Sequence, residues 1–327
     1  MAKHTMFCAG IDTGKHKLDV ALDRCSERLR VENTLAEHTV LSEWLRRHRV
    51  TRVGIEASGG YEQAVVAELR RAGFVVIVFQ PAQVRAYAMF HLKRAKNDKI
   101  DAALIAICTA AAQKIHAAPD PRLAPFAQHL TMIDQIGDDI ARLKNRIETC
   151  RDARIRQVWK EEIARLKKLQ RSERRSLVAA IRQHRDLAER LDLINSVDGI
   201  GLPTAVAILV RMPEIGRLTR EEVAALGGLA PYDDDSGQRS GARHIAGGRE
   251  RLRTAVFAAA LPASQRWNPQ LMTFYQRLIA AGKLHRIALV ACARKLLIFA
   301  NTIVARGTPW KRHHPIPTAI AHAATAR

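Results

Sequence analysis

The first 120 residues alternate between short apolar segments typical of strands and longer segments with helical spacing. KLDVALD alternates apolar and polar positions, as a half-buried strand does, and MFCAGID and RLRVENT could pair beside it. RVGIEA predicts a further strand and FVVIVF a buried one. Helices are predicted at TVLSEWLRRHR with Thr39 as its possible N-cap, at YEQAVVAELRRAG, after Pro81, and at DKIDAALIAICTAAAQ. This order predicts a mixed α/β sheet in residues 1–120.

The pattern changes to long helical periodicity over residues 121–190. Six apolar positions step by three or four residues: Leu130, Ile133, Ile136, Ile140, Leu143 and Ile147. A second apolar run follows at Ile155, Val158, Ile163, Leu166 and Leu169, and the chain between these positions is dense in Arg, Lys and Glu. This spacing indicates a long antiparallel helical hairpin or coiled coil. The same pattern fits a solvated charged spacer as well as a dimerisation element.

A third, mostly helical segment is predicted over residues 191–305. SVDGIGLPTAVAILVRM has the form of a helix-hairpin-helix turn, in which Gly199 and Gly201 allow backbone N–H groups to face a phosphate at a helix N-terminus. A purely structural turn is the alternative. A capped helix at TREEVAALGGLAP, the polar loop YDDDSGQRSGARHIAGGR and three helical stretches up to Asn301 follow. Residues 306–327 form a basic tail that we expect to be mobile.

The charge of the chain indicates a polyanionic partner. The 327 residues contain 53 Lys and Arg against 32 Asp and Glu, which gives a net charge of +21. The excess is spread over all three segments, so a long nucleic acid is the simplest partner. The five cysteines form no CxxC pair, which argues against a disulfide framework or a cysteine zinc site.

The sequence also predicts the compartment. The N-terminus reaches Asp12 too soon for a signal peptide. The most apolar C-terminal stretch, Ile287 to Ala305, carries Arg294 and Lys295 in its middle, which argues against a membrane span. We therefore expect a soluble, cytoplasmic protein with no membrane partner.

Four acidic residues are candidates for a metal site. Asp12 and Glu56 end predicted strands, and Asp98 and Asp101 lie three residues apart where a helix opens. Four carboxylates converging at a sheet edge would repel one another, so a divalent cation is their natural partner, and a two-metal Mg²⁺ site is the recurring solution for phosphodiester chemistry. Taken singly, each acid has a simpler interpretation, as an Asx turn or a helix cap. The combination is the arrangement of ribonuclease-H-like nucleases.

Ser236 is the second candidate for chemistry. It lies in DDDSGQRSGARHIAGGR, followed by Arg239, Arg243 and Arg249, which could hold phosphates. A serine hydroxyl needs a metal or a base to attack phosphorus. Without family knowledge, a solvent-exposed loop serine is the simpler interpretation.

Five blocks in order along the chain resemble the DEDD-type insertion-sequence transposases of the IS110 (IS-one-ten) family. They are GIDTGKHKLDV, IEASGGYEQAV, NDKIDA, VDGIGLPTA and LGGLAPYDDDSGQRSGARHIAGGR. The last block looks most like the subgroup named after IS1111 (IS-eleven-eleven). The order and spacing of the five blocks over nearly the whole chain make the resemblance specific.

The resemblance implies a fold, a reaction and partners. It implies a RuvC-like N-terminal domain whose Asp12, Glu56, Asp98 and Asp101 form an acidic tetrad, and a C-terminal transposase domain whose Ser236 is the nucleophile. It further implies a structured bridge RNA that pairs with donor and target DNA. A tetramer is also implied, with each active site built from two subunits and the helical hairpin as the assembly element.

Two features of the last block depart from the expected pattern. Asp233, Asp234 and Asp235 make the approach to Ser236 acidic, and Ser240 is a second serine nearby. Two other functions stay open: a RuvC-like metal-dependent, structure-specific nuclease that uses water, and a non-catalytic nucleic-acid-binding protein. The serine loop argues against the first and the four acids against the second.

Overall fold

The chain divides into two compact units, Met1–Ala118 and Pro119–Arg327. The structure is a computed structural model that describes residues 7–91, 98–113, 119–233 and 243–311. The division of the second unit into a hairpin over 121–190 and a transposase domain over 191–305 stays a prediction.

The first unit is a five-stranded sheet with four helices. The strands are β1 (Phe7–Thr13), β2 (Lys17–Leu22), β3 (Cys25–Glu32), β4 (Val50–Glu56) and β5 (Val75–Phe79). The helices are α1 (Leu35–Arg47), α2 (Gln63–Arg71), α3 (Pro81–Phe90) and α4 (Asp98–Ala111). The strand order is β3-β2-β1-β4-β5; β1, β2 and β3 are antiparallel, whereas β4 and β5 run parallel to β1. The predicted mixed α/β sheet is confirmed.

The two faces of this sheet are built from different side chains. Ile11, Leu18 and Ile55 lie on one face and are fully buried in a core shared with Leu41 of α1 and Leu69 of α2. The opposite face is covered by α4, which packs on β1, β2 and β4. Because side chains alternate along a strand, residues that face this core and residues that face α4 follow one another along β1, β2 and β4.

Two local predictions are wrong. The N-cap of α1 is Thr34, whose hydroxyl accepts a hydrogen bond from the Glu37 N–H, and Thr39 lies inside the helix. The Thr34–Glu37 spacing is that of a capping box, which was the available signal. The strand β5 is not buried throughout, because it is the last strand of the sheet and leaves Val75 42% and Val78 36% exposed.

Over residues 119–233 and 243–311, the second unit is helical apart from a two-stranded ribbon. Its helices are α5 (Leu123–Thr149), α6 (Ala153–Arg182), α7 (Arg185–Asn195), α8 (Leu202–Arg211), α9 (Arg220–Leu226), α10 (Glu250–Pro262), α11 (Pro269–Ala280) and α12 (His285–Arg306), with a π-helical turn at Ala263–Trp267. The ribbon pairs β6 (Pro231–Tyr232) with β7 (His244–Ile245). The long helices α5 and α6 pack against each other as the predicted hairpin requires.

The hairpin has two separate apolar contacts. Its outer part is held by a small cluster of Ile136, Ile140, Ile163 and Leu166. Its base, which includes Leu130, Ile133, Leu177 and Ile181, belongs to the main core of the second unit, together with α7, α8, α10 and α12. Supercoiling of the hairpin and its role in assembly stay predictions.

The C-terminal helix is a core element. Within the described part of the chain, α12 is the helix long and apolar enough to cross a membrane, but half of its apolar window is buried inside the protein. The basic tail was predicted to be mobile from Arg306. Arg306 is the last residue of α12, and Trp310 packs on Phe299 and donates its backbone N–H to the Ser196 hydroxyl. Residues 312–327 lie outside the described residues, so the mobility of the tail stays a prediction. All five cysteines are free.

Candidate active site

Asp12 and Glu56 lie at the same level of two neighbouring parallel strands. The register of β1 and β4 pairs Gly10 with Gly54 and Ile11 with Ile55. The next residue on each strand is the acid, so the two half-buried carboxylates occupy adjacent positions at the carboxyl ends of β1 and β4. The parallel register therefore brings together two of the four predicted acids.

Both acids lie on the sheet face that α4 covers. A Cβ atom added at Gly10 would overlap the backbone of Ala102 and Ala106, and one added at Gly54 would overlap the Thr109 hydroxyl. Residues two apart on a strand point to the same face, so Asp12 shares the face of Gly10, and Glu56 shares that of Gly54. The glycines let the helix lie close to the sheet, and the acids occupy the row beside them.

The helix α4 carries the other two predicted acids. Asp101 is half-buried and directly precedes Ala102, whose carbonyl lies over Gly10. Asp98 is the first residue of α4, and its side chain lies outside the described residues. The two acids are three residues apart in the first turns of one helix, which places them on one side of it.

The fit of these acids to a metal can be tested on the donor set. Among the side chains that the structure describes, no three from Asp, Glu, His and Cys lie close enough to one another to hold an ion. Mg²⁺ is commonly bound by one or two carboxylates, together with water and substrate phosphate oxygens. The neighbouring carboxylates of Asp12 and Glu56 fit that requirement, and Asp101 and Asp98 are the further candidates.

A fifth acid, Asp19, lies in the same row and was not predicted. It stands directly opposite Asp12 in the antiparallel register of β1 and β2, so both face α4. Asp19 is buried, accepts a hydrogen bond of 2.6 Å from Arg30 Nε, and lies 3.5 Å from Lys17 Nζ. Its position in the polar phase of KLDVALD was the available signal. The two cations offset the repulsion that Asp19 would otherwise exert on Asp12.

The close approach of α4 to Gly10 predicts a large effect of a single methyl group. Gly10→Ala places Cβ against backbone atoms on α4, including the Ile105 carbonyl carbon at 2.7 Å, and backbone cannot rotate away. We expect a loss of about 3 kcal/mol of unfolding free energy, at the upper end of the usual overpacking cost. Urea unfolding measures it.

Gly14→Ala is the matched control for this change. A Cβ atom at Gly14 would meet the Lys17 carbonyl oxygen at 3.4 Å, an ordinary contact. Gly10→Ala unfolding at the same urea concentration as Gly14→Ala would contradict the close packing of α4 on the sheet.

The two strands of the β6–β7 ribbon lie on either side of Ser236 in the sequence. The ribbon pairs Pro231 with Ile245 and Tyr232 with His244. Residues 234–242, which include Ser236, Arg239 and Ser240, lie outside the described residues. The sequence analysis missed the ribbon, because two-residue strands leave no periodicity to read.

The base of the ribbon is closed by glycines. A Cβ atom at Gly248 would overlap the backbone nitrogen and Cα of Gly228, so the two glycine pairs of LGGLAP and AGGR pack backbone against backbone. The Arg249 N–H also donates to the Leu226 carbonyl at 2.8 Å. These contacts explain why glycine occurs at both ends of the block.

Two of the predicted phosphate-binding arginines are engaged within the protein. Arg249 donates two hydrogen bonds to the Glu214 carboxylate, at 2.7 and 2.8 Å. Arg243 forms an ion pair with Asp233. The second pair offsets one of the three negative charges that precede Ser236. A role of either arginine toward nucleic acid stays a prediction.

The turn between α7 and α8 contains both glycines of the predicted helix-hairpin-helix. Gly199 has φ +96°, and a Cβ atom there would overlap the Ala263 side chain, so this position needs glycine for conformation and for packing. The buried Asn268 side chain holds the turn by donating to the Asp198 carbonyl at 3.0 Å. Gly201 is the exposed N-cap of α8. Phosphate binding by this turn stays a prediction.

Comparison with known proteins gives matches to both units. A family model described as a transposase, of the IS110 DEDD type, matches residues 9–154, and the model of the transposase IS116/IS110/IS902 family matches residues 191–276. Together the two models match more than half of the chain.

Relatives of known sequence match either about half or most of the chain. A 43.6 kDa protein of insertion element IS110 from Streptomyces coelicolor is 29% identical over 151 residues, which are 46% of this chain and 37% of that protein. The pilin gene-inverting proteins of Moraxella bovis and Moraxella lacunata are each 24% identical over 330 residues, 93% of this chain and 98% of theirs.

Solved structures similar to this chain include RuvC of Thermus thermophilus, alone and in complex with a Holliday junction substrate. The complex is 20% identical, with a TM-score of 0.27, and covers 32% of this chain and 93% of that one. The structure determined without substrate is 21% identical, with a TM-score of 0.26. The assignment therefore rests on the sequence matches, and by these the chain belongs to the IS110 family of insertion-sequence transposases.

Proposed function

We propose that this chain is a transposase of an insertion sequence that uses a serine nucleophile and joins donor and target DNA under the guidance of a bridge RNA. The observation that carries the proposal is the placement of Asp12 and Glu56 side by side on the α4 face of the sheet. Two acids that served only as helix caps would not need to lie on adjacent strands at one edge of the sheet. Two acids that act together on a phosphodiester must lie side by side.

The acidic residues hold the metal in this proposal. Asp12 and Glu56 supply carboxylate oxygens from the sheet, and Asp101 and Asp98 supply them from α4. Mg²⁺, when bound, polarises the scissile phosphate and lowers the pKa of an attacking hydroxyl. Arg30 and Lys17 offset the negative charge of Asp19 beside these acids.

Ser236 is the nucleophile in this proposal. Its hydroxyl oxygen forms a bond to phosphorus while the bond from phosphorus to the sugar oxygen breaks, and the serine proton passes, in net terms, to the departing sugar hydroxyl. One phosphodiester replaces another, so the bond is conserved for rejoining to a second strand. Attack by that strand's hydroxyl reverses the exchange and restores the serine.

The positive charge of the chain holds the nucleic acids. A net charge of +21 favours contacts with the phosphates of both RNA and DNA. Such contacts do not depend on the nucleotide sequence. Base pairing by the RNA then selects the sequence. The α5–α6 hairpin is the proposed assembly element of a tetramer, in which each active site combines acids and serine from different subunits.

A metal-dependent, structure-specific nuclease is the second candidate. The acidic row of Asp12, Glu56 and Asp19 is compatible with it, since water could replace serine. The block from Gly227 to Arg249 favours the recombinase, because its packed glycine pairs and its ribbon flank a serine in the sequence that a water-using nuclease does not need.

RNA guidance is tested by supplying the parts separately. The purified protein is incubated with Mg²⁺, donor and target DNA, and an RNA transcribed from the non-coding DNA that flanks the gene. We expect recombinant junctions, detected by amplification across them, to require that RNA and to move to a new target when its target-pairing segment is rewritten. Junctions formed equally well without RNA would contradict guidance.

A further inference from the structure

A cavity of about 540 Å³ lies in the second unit, between α12 and the segment that follows it. Four cationic side chains line it: Arg220, Lys295, Arg306 and Lys311. Its volume falls within the roughly 300–1,000 Å³ that is usual for sites of small ligands. The lining contains no carboxylate among the residues that the structure describes.

Among the described residues, the cations of this cavity have no acidic partner, unlike two arginines that pair with aspartates of α5. Arg211 pairs with Asp134, and Arg251 pairs with Asp138. By contrast, none of the four cavity cations forms an ion pair with any residue in the described part of the chain. Four like charges brought together without compensation favour an anionic ligand.

The electrostatics at the centre of the cavity point the same way. Lys295 is half-buried, with its ammonium group 4.5 Å from the centre of the Phe274 ring. Burial lowers the pKa of this lysine, and the charges of Arg277 and Arg220 lower it further. An anion in the cavity would stabilise the charged form of Lys295 and offset the repulsion from the two arginines.

Aromatic side chains form another part of the wall. Phe299 and Trp310 both line the cavity, are half-buried, and pack with ring centres 4.8 Å apart. Trp310 is held in place by the hydrogen bond that its backbone N–H donates to the Ser196 hydroxyl. Cations beside aromatic faces are the combination that binds the phosphates and stacked bases of single-stranded nucleic acid.

We propose that this cavity binds an unpaired nucleotide of a nucleic-acid strand, with its phosphates on Arg220, Arg306, Lys295 and Lys311 and its base against Trp310. The inference rests on the proposed function, since it names a contact for one of the recombinase's nucleic acids. The chain's own residues 312–327 are a poorer occupant, because they contain no Asp or Glu to neutralise the cations.

The test uses the full-length protein and a six-nucleotide single strand as the probe, in RNA form, in DNA form and with its bases removed. Fluorescence anisotropy gives the affinity at several salt concentrations. Arg306→Gln and Lys311→Gln remove exposed cations, and Trp310→Ala removes the aromatic wall. Arg185→Gln is the matched control, since it removes the same charge from an exposed arginine already paired with Glu189.

The expected result has two parts. Affinity falls as salt is added, and each of Arg306→Gln and Lys311→Gln makes this fall less steep. The slope of log affinity against log salt concentration becomes less negative by about 0.7, the value for one phosphate contact on a single strand. Trp310→Ala weakens binding of the base-containing strand by roughly 5- to 150-fold, the usual effect of one stacked base, and leaves the abasic strand unaffected. Trp310→Phe, which keeps packing in the core, recovers most of the loss.

Cavity variants that bind with the affinity and salt slope of Arg185→Gln would overturn the proposal, as would an effect of Trp310→Ala equal for abasic and base-containing strands. Tighter binding of the RNA form would support the guide RNA as the source, and equal binding would support either strand. Unchanged binding by cavity variants, with formation of a serine–DNA adduct retained, overturns the cavity alone. Cavity-dependent binding without any adduct overturns the recombinase instead.

Discussion

Asp12→Asn is expected to abolish strand cleavage in Mg²⁺ while nucleic-acid binding stays at least as tight. The substitution replaces a carboxylate at the end of β1 with an amide of the same size. Loss of a metal ligand removes several kcal/mol of transition-state stabilisation, which corresponds to about a hundredfold or more in rate. Binding is spared, because removing a negative charge lowers the repulsion toward phosphate. Gel electrophoresis of labelled DNA and an electrophoretic mobility shift measure the two properties.

Asp139→Asn is the control for this substitution. This substitution makes the same chemical change at an exposed carboxylate of α5, which pairs with Arg142 at 3.1 Å. Cleavage by Asp12→Asn at the rate of Asp139→Asn would show that the acidic row on the α4 face is not the site of chemistry.

The strands of the first unit could be predicted because their sequence periodicity is strong. KLDVALD alternates polar and apolar residues from Lys17 to Val20, and the structure has β2 there, between β1 and β3. For the acids, the sequence predicts that Asp12 and Glu56 end strands, but it does not predict that the two residues lie side by side. Their alignment depends on the register that pairs Ile11 with Ile55, and register is a tertiary property.

The partners of individual side chains could not be predicted. The sequence marks Arg249 as a phosphate ligand because it follows the serine loop, yet its guanidinium lies on Glu214, 35 residues earlier in the chain. Asp19 was overlooked for the opposite reason. It was counted as the polar phase of a strand, whereas its place opposite Asp12 follows only from the antiparallel pairing.

The glycines of the family-like blocks have separate physical reasons. Gly10 and Gly54 let α4 approach the sheet beside the acids, and Gly228 and Gly248 close the base of the serine loop. Gly199 takes a positive φ against Ala263. The same residue type therefore serves the acidic site, the serine loop and the α7–α8 turn through close packing.

Ser236→Ala is expected to eliminate recombination completely. Alanine has no oxygen that can attack phosphorus, and no other group of the loop takes its place in the proposed reaction. Amplification of recombinant junctions measures the loss. Ser240→Ala, four residues along the same loop, should recombine normally and controls for disturbance of the loop.

The central claim, that a serine of this chain becomes covalently linked to DNA, is tested most directly by denaturing electrophoresis of the protein with labelled donor DNA, guide RNA and Mg²⁺. The account predicts a labelled protein–DNA adduct that survives denaturation, disappears on protease treatment, is formed by Ser240→Ala and is absent from Ser236→Ala. Normal cleavage by Ser236→Ala without any adduct would contradict it and identify the protein as a water-using nuclease.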